Sequence, residues 1–283
     1  QATGTQEVWE FGAGTGALAK QLLSGLGDAI GRYTIIDLSG TLRARQADTL
    51  LEYADKVRWL DSWPEVIEGV VVGNEVLDAM PVQLLQRKNG VWHERGVVSV
   101  GTGFAWQDQA THLRPPVEIE GPHDYLTEIH PQAEAFVTSL AERMRAGKGA
   151  AAFFLDYGFP EAEYFHPQRH MGTLMCHQLH QADDNPLLDV GQKDITAHVN
   201  FTGVALAGQN AGLEVLGYTS QAWFLLNLGL AEQMAKASLA ERSQAQRLIN
   251  EHEMGELFKV IGFSTSADWD ALGFSQGDRS HRL

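Results

Sequence analysis

Two acidic side chains three residues apart, Glu75 and Asp78, follow the apolar run 70–72. If the segment 74–81 opens with one helical turn, both carboxylates face the same side of it. A pair of carboxylates in that arrangement can orient a guanidinium or an amine and accept its proton. Each acid also has a structural interpretation, as a helix-start acid at position 75 and as a solvated surface charge at position 78. As a pair behind a buried strand, they are predicted to be functional.

A second pattern with chemical meaning is EFGAGTG, in which Gly12, Gly14 and Gly16 follow the apolar stub 8–9. Alternating glycines between an apolar run and a helical pattern are typical of a strand–loop–helix turn whose backbone comes very close to a ligand. Leucines that recur every four residues from Leu18 predict the helix. This segment therefore indicates the first turn of a nucleotide-binding fold.

The glycines alone fit two nucleotide classes. Gly12, Gly14 and Ala17 satisfy the dinucleotide fingerprint of a Rossmann dehydrogenase. Asp37 ends the predicted strand 33–36, about 20 residues beyond the loop, where an acid binds ribose hydroxyls. Both nucleotide classes predict an acid at this position. Asp37 therefore supports a nucleotide ligand but does not distinguish between the two classes.

Two details favour S-adenosylmethionine over a dinucleotide. Glu10 lies two residues before the first glycine, and a carboxylate there suits a cationic ligand better than a pyrophosphate, which it would repel. The third glycine also stands at position 16 rather than 17. We therefore expect a methyltransferase, with a dehydrogenase as the alternative.

Length and composition limit the function classes. At 283 residues the chain is long enough for a full doubly wound sheet. The net charge of −15 argues against a nucleic-acid partner, because the phosphate backbone favours a basic surface. The single cysteine, Cys176, excludes an internal disulfide and fits a reducing compartment. The sequence shows no apolar stretch of membrane-span length and no signal peptide, so we expect no membrane partner.

Strand and helix signals alternate through much of the chain. This alternation predicts an α/β fold with an open, mostly parallel sheet, whose last strand at 257–261 could run antiparallel. The other predicted elements are a helix over 38–54, strands at 56–60, 70–72 and 149–155, a helix opening at Pro131, a helix over 202–212, a strand at 213–218 and helical segments from 222 to 250.

Two segments interrupt the alternation. Runs at 82–87 and 91–100, joined by Asn89-Gly90, have the signature of a hairpin and open a β-rich insertion over 82–128. From 159 to about 200 no periodicity is visible, and a loop of that length inside a compact domain is usually functional. We expect 159–200 to be a substrate-side insertion.

Other polar residues near these segments have more than one interpretation. Asp156 follows the strand 149–155 and could act chemically or orient a neighbour through a hydrogen bond. Tyr157 and His198 are candidates for substrate contacts. His177 and His180 have the character of metal ligands, but no nearby residues complete a tetrahedral set, so no metal is predicted.

Six segments together resemble the MidA-like methyltransferases, a family that includes mitochondrial complex I assembly factors acting as protein-arginine methyltransferases. The segments are EFGAGTG, NEVLDAMPV, FLDYG, GTLMCHQLH, DITAHVNF and the closing GDRSHRL. The resemblance implies one Rossmann-like class I methyltransferase domain over 1–283, with a seven-stranded, mostly parallel sheet. Relatives carry a region before the first strand, so we expect a segment to precede this chain in the full protein.

The same resemblance implies roles for individual residues. S-adenosylmethionine is expected at Glu10, Gly12, Gly14, Gly16, Asp37 and Asn74. The reaction is expected at Glu75, Asp78 and Asp156. The substrate side is expected at Tyr157, Gly172, Thr173, His180, His198 and Phe201.

The expected acceptor is a protein with an accessible arginine, such as a subunit of respiratory complex I. A homodimer is left open, and the expected location is the cytoplasm of a bacterium or the mitochondrial matrix of a eukaryote. One alternative is an assembly factor that binds the cofactor and a partner without catalysis; another is the NAD-dependent dehydrogenase.

Overall fold

A computed structural model describes residues 2–178 and 181–283 of the chain. The strands are β1 (Glu7–Phe11), β2 (Arg32–Ile36), β3 (Val57–Leu60), β4 (Gly69–Asn74), β5 (Gln83–Lys88), β6 (Val91–Val100), β7 (Gly103–Ala110), β8 (Tyr125–Ile129), β9 (Ala150–Phe159), β10 (Met175–Gln178), β11 (Gln181–Asp183), β12 (Asp194–Thr196), β13 (Val199–Asn200), β14 (Glu214–Ser220) and β15 (Phe258–Ser264). The helices are α1 (Ala17–Leu26), α2 (Gly40–Thr49), α3 (Pro131–Arg145), α4 (Glu161–Tyr164), α5 (Phe201–Asn210), α6 (Gln221–Asn227), α7 (Leu230–Lys236), α8 (Leu239–Ile249) and α9 (Met254–Leu257). No helix among the described residues is long and apolar enough to cross a membrane.

The large sheet has the strand order β14-β15-β9-β4-β1-β2-β3, with the short β13 added beside β9. Strands β3, β2, β1, β4 and β9 pair in parallel, and β14 pairs antiparallel with β15. The predicted mostly parallel sheet of seven strands is confirmed, with β13 as an addition. The chain reverses its direction of progress across the sheet at β1 and β4, which is where open α/β sheets bind ligands.

The chain folds into two compact units. The first unit contains the chain up to Val76 together with Val137–Asp156 and Ala205–Arg282, and the second contains Leu77–Phe136 and Tyr157–Val204. In the first unit a buried apolar cluster lies around β2 and α1 and fixes that helix on the sheet. Its members include Ala19, Leu23, Tyr33, Ile35 and Leu50.

In the second unit the β-rich insertion is a four-stranded antiparallel sheet with the order β7-β6-β5-β8. The predicted hairpin forms its β5–β6 pair. Its turn residues Asn89 and Gly90 have φ of 48° and 78°, which is the conformation that a two-residue type I′ turn requires. The sequence prediction missed β8, a five-residue strand that follows a segment without regular structure.

The segment 159–200 is more regular than predicted. It contains α4, a three-stranded sheet with the order β11-β10-β12, and β13. These strands have two to four residues, which is too short to show a hydrophobic period. Strand β9 also continues to Phe159, so Asp156 and Tyr157 lie within a strand rather than after one.

Candidate active site

The turn from β1 to α1 is built on three glycines in the left-handed region. Gly12, Gly14 and Gly16 have φ of 66°, 52° and 81°. A Cβ added at Gly12 would lie 2.8 Å from Cγ2 of Val76, whereas one added at Gly14 would meet no atom of the described residues within 4 Å. The missing Cβ at Gly12 therefore lets Val76 pack against the loop, and the backbone at Gly14 faces open space.

Asp37 follows β2 and is held through both oxygens of its carboxylate. The backbone N–H of Ser39 donates to Oδ1 at 2.8 Å, and Nε2 of Gln46 donates to Oδ2 at 2.7 Å. The same amide donates to the carbonyl of Gly14 at 3.1 Å. The predicted ribose acid and the glycine loop are thus joined by Gln46, a residue that the sequence analysis missed. Gln46 is the buried residue of α2, a helix with little apolar periodicity to draw attention to it.

Glu10 lies on β1 and is buried. Its Oε2 accepts a hydrogen bond of 2.8 Å from the hydroxyl of Tyr33 on β2. Burial raises the pKa of Glu10 to about 7, and the Tyr33 hydrogen bond lowers it by less. A contact between Glu10 and a cationic ligand stays a prediction, while the structure gives this acid a partner within the sheet.

The segment after β4 is a bend and a turn, so the predicted helical turn is wrong. The N–H of Glu75 donates to the carbonyl of Leu155 at 2.9 Å, which extends the β4–β9 pairing by one residue. Glu75 then takes a φ of 53°, which turns the chain away. Its Oε1 accepts a hydrogen bond of 3.0 Å from Nδ2 of Asn74. The interpretation of Asp78 as a solvated surface charge is also wrong, because it is 2% exposed.

Asp156 supports the turn after Glu75. It is buried in β9, and its Oδ2 accepts a hydrogen bond of 3.1 Å from the N–H of Val76. Since Val76 also packs against Gly12, this bond connects the turn after Glu75 to the glycine loop. The arrangement favours the interpretation in which Asp156 orients its neighbours.

In the second unit, Gly172 and Thr173 surround a buried carboxylate that sequence analysis missed. Oε1 of Glu128 accepts the N–H groups of Thr173 and Leu174 at 2.8 and 3.1 Å. Its Oε2 accepts the hydroxyls of Tyr164 and Thr173 at 2.8 and 3.1 Å. A Cβ at Gly172, whose φ is 74°, would lie 2.6 Å from Oε1. The Gly-Thr-Leu segment is therefore shaped around Glu128.

Two more ionisable groups lie beside this carboxylate. Nε2 of His130 is 3.1 Å from the hydroxyl of Tyr164. Burial lowers the pKa of His130 to about 4 and raises the pKa of Tyr164 well above its usual value. Both side chains are consequently neutral near pH 7.

The remaining predicted substrate residues divide into three groups. Tyr157 and His198 form an edge-to-face ring contact of 5.5 Å, and the N–H of His198 donates to Oγ1 of Thr173 at 3.0 Å. Phe201 is fully buried at the start of α5 and is a core residue. His180 lies outside the described residues.

One backbone hydrogen bond connects Asp78 to the segment that contains His198. The carbonyl of Asp78 accepts the N–H of Ala197 at 2.9 Å, which ties the segment after β4 to the strand that precedes His198. Across residues 2–178 and 181–283, no three His, Cys, Asp or Glu side chains are grouped so that they could hold a metal ion.

Comparison with known proteins identifies the family. A family model described as S-adenosyl-L-methionine-dependent methyltransferase matches residues 1–219. The chain belongs to this family. A crystal structure of a Burkholderia thailandensis protein bound to S-adenosyl-homocysteine is 46% identical, with a TM-score of 0.91, and covers 100% of this chain and 77% of that one. A native structure from the same organism is also 46% identical, with a TM-score of 0.92, and covers 100% and 80%.

More distant relatives carry a more specific name. The mitochondrial protein arginine methyltransferase NDUFAF7 homolog of Drosophila melanogaster is 27% identical over 90% of this chain and 66% of its own length. The protein of the same name from Caenorhabditis elegans is 22% identical over 89% and 64%. The chain therefore spans less than two thirds of these relatives' length.

S-adenosylmethionine is the cofactor of this methyltransferase, and the family assignment replaces the dehydrogenase alternative. The first unit fits it on its own geometry. Gly14 leaves open space beside the loop, and Asp37 presents a fixed carboxylate after the neighbouring strand. Bound there, the cofactor would rest on the glycine backbone, with its ribose hydroxyls on Asp37.

The buried acid Glu10 predicts a pH-dependent stability. Because its pKa is raised when the protein folds, its contribution is fully present below pH 4.5 and is lost as the pH rises through about 7. Between pH 4.5 and about 7 we expect the free energy of unfolding of wild type to fall by on the order of 3 kcal/mol relative to that of Glu10→Gln. One pKa unit is worth about 1.4 kcal/mol. Urea denaturation at both pH values measures the difference. The exposed control Glu65→Gln should follow wild type, and an unchanged pH slope in Glu10→Gln would contradict the assignment.

The Glu128 network predicts a loss of stability when one of its acceptor oxygens is removed. In Glu128→Gln one acceptor oxygen becomes an NH2 group, which faces two donors. We expect the free energy of unfolding to fall by about 1–3 kcal/mol, the usual effect of unsatisfied buried donors. Urea denaturation provides the measurement, with the exposed Glu118→Gln of the same unit as control. Equal stability of the two variants would show that the network does not hold the segment.

Proposed function

We propose that this methyltransferase transfers the methyl group to an arginine side chain of a protein. The observation that carries the proposal is the placement of Glu75. Glu75 directly follows β4, and its backbone is in the left-handed region. Strand β4 lies beside β1, the strand that leads into the glycine loop. Its backbone is held by Leu155, and the turn behind it is held by Asp156.

A fixed carboxylate suits a guanidinium acceptor. Two parallel N–H···O bonds from a guanidinium to a carboxylate fix both its distance and its plane. Oε1 of Glu75 already accepts from Asn74, which restrains the rotation of the carboxylate and retains free lone pairs. When bound, S-adenosylmethionine supplies a methyl group on a cationic sulfur. Glu75 would hold the guanidinium in line and receive the proton that its nitrogen loses.

Charge and relatives support a protein acceptor. The chain has a net charge of −15, which favours basic over acidic partners. The Drosophila melanogaster and Caenorhabditis elegans relatives are named protein arginine methyltransferases. Asp78, the second carboxylate of the block, is a further candidate for contact with the acceptor, and a subunit of respiratory complex I is a candidate acceptor.

Label transfer tests the role of Glu75. We expect Glu75→Gln to reduce tritiated-methyl transfer into lysate protein at least 100-fold, as loss of a general base does. The affinity for S-adenosylhomocysteine, measured by calorimetry, should stay within about threefold because Glu75 is assigned to the acceptor. Glu65→Gln is the matched control, with both quantities unchanged.

Two results would contradict this role. Wild-type transfer by Glu75→Gln would remove Glu75 from the reaction. Loss of transfer and of cofactor binding to the same degree would make it a binding residue. Analysis of the labelled band for methylarginine tests the acceptor itself.

A second candidate function is that of an assembly factor that binds a partner without catalysis. The observation in its favour is the exposed apolar surface of β6 and β7, which includes Val97, Val100, Phe104 and Trp106. Exposed apolar patches of this kind are typical of protein interfaces. Full complementation in cells by Glu75→Gln, despite lost label transfer, would favour this candidate.

A further inference from the structure

Gln46 has no assigned role, yet its amide is fully buried between three elements of the first unit. Its Nε2 donates to the Gly14 carbonyl at 3.1 Å and to Asp37 Oδ2 at 2.7 Å. Its Oε1 accepts a hydrogen bond of 3.0 Å from Nε1 of Trp59 on β3. One side chain therefore touches the glycine loop, the ribose acid and the next strand.

The chemistry of the three partners fixes the orientation of this amide. An indole N–H only donates, whereas a carbonyl and a carboxylate only accept. The oxygen of Gln46 must therefore face Trp59, and its NH2 group must face Gly14 and Asp37. Rotating the amide by 180° would break all three bonds in a buried site, which costs far more than it does in water.

The helix that carries Gln46 packs directly on the loop. A Cβ added at Gly16 would lie 3.4 Å from the Cα of Gln46 and from a side-chain carbon of Leu50. The start of α2 is fixed as well, because the Ser39 hydroxyl accepts the N–H of Leu42 at 3.3 Å. The packing of α2 thus sets the position of Gln46 relative to Gly14 and Asp37.

We propose that Gln46 is a positioning residue for the ribose of the cofactor. With Ser39 on Oδ1 and Gln46 on Oδ2, the Asp37 carboxylate has one orientation, and its remaining lone pairs are available to ribose hydroxyls. The bond to Gly14 holds the glycine loop at a constant distance from that carboxylate. The proposal rests on Asp37 as the ribose ligand and is independent of the acceptor that the enzyme methylates.

The experiment is calorimetry with S-adenosylhomocysteine and its 2′-deoxy and 3′-deoxy analogues, with no acceptor present. Wild type should bind at least one deoxy analogue 10-fold or more weakly, as expected for a hydroxyl bonded to a carboxylate. Gln46→Met keeps the length of the side chain and removes its amide. We expect it to bind S-adenosylhomocysteine about 10-fold more weakly and to discriminate less than threefold between the ligands.

Two further variants keep the test decisive. Trp59→Phe removes the N–H donor that orients the amide. It should discriminate between S-adenosylhomocysteine and the deoxy analogues less than wild type does, but more than Gln46→Met does. This variant keeps the test possible if Gln46→Met is unstable. Gln21→Met, at an exposed position of α1, should behave as wild type. If Gln46 merely stabilised the fold, its substitution would lower the affinity for all three ligands by the same factor.

Three results would overturn the proposal. The first is an unchanged deoxy penalty in Gln46→Met and Trp59→Phe, and the second is an equal loss for all ligands. The third is a wild type that does not discriminate, because Asp37 would then not bind the ribose. Failure of the arginine proposal would appear in label transfer and would leave these affinities unaffected.

Discussion

Three glycines in the left-handed region, between β1 and α1, are the constraint on which the first unit depends. No residue with a Cβ adopts this turn without strain, and the turn determines what can pack beside it. Gly12 admits Val76, whose N–H is held by Asp156. Gly14 offers its carbonyl to Gln46, which also donates to the carboxylate of Asp37. The glycine loop and the turn after Glu75 are thus positioned together.

Much of this unit could be predicted because its signals are local. The glycine turn is visible as spacing, and the apolar run Val70–Val72 forms a central parallel strand in which Val71 is buried and its two neighbours are half-buried. In the second unit the type I′ turn at Asn89-Gly90 is equally local, because both residues tolerate positive φ. Asp37 is expected to bind ribose from its distance along the chain to the loop, and that contact stays a prediction.

The polar contacts could not be predicted because they join distant residues. Gln46 and Gly14 are 32 positions apart, and Glu128 and Thr173 are 45 apart. A buried glutamine or glutamate looks like a surface residue until its partners are known. The helical turn predicted at Glu75 is wrong, because the N–H of Glu75 is bonded to Leu155 of β9 and the residue has positive φ, neither of which the segment itself reveals.

The most direct test of this account compares S-adenosylhomocysteine binding by Gly14→Ala and Gly4→Ala. Both glycines have positive φ, 52° and 68°, and a Cβ at either meets no atom of the described residues within 4 Å. The two variants therefore carry similar backbone strain, and only the Cβ at position 14 would obstruct a ligand on the loop. The account predicts at least a 10-fold loss of affinity in Gly14→Ala and none in Gly4→Ala. Equal affinities would contradict the claim that the cofactor rests on this turn.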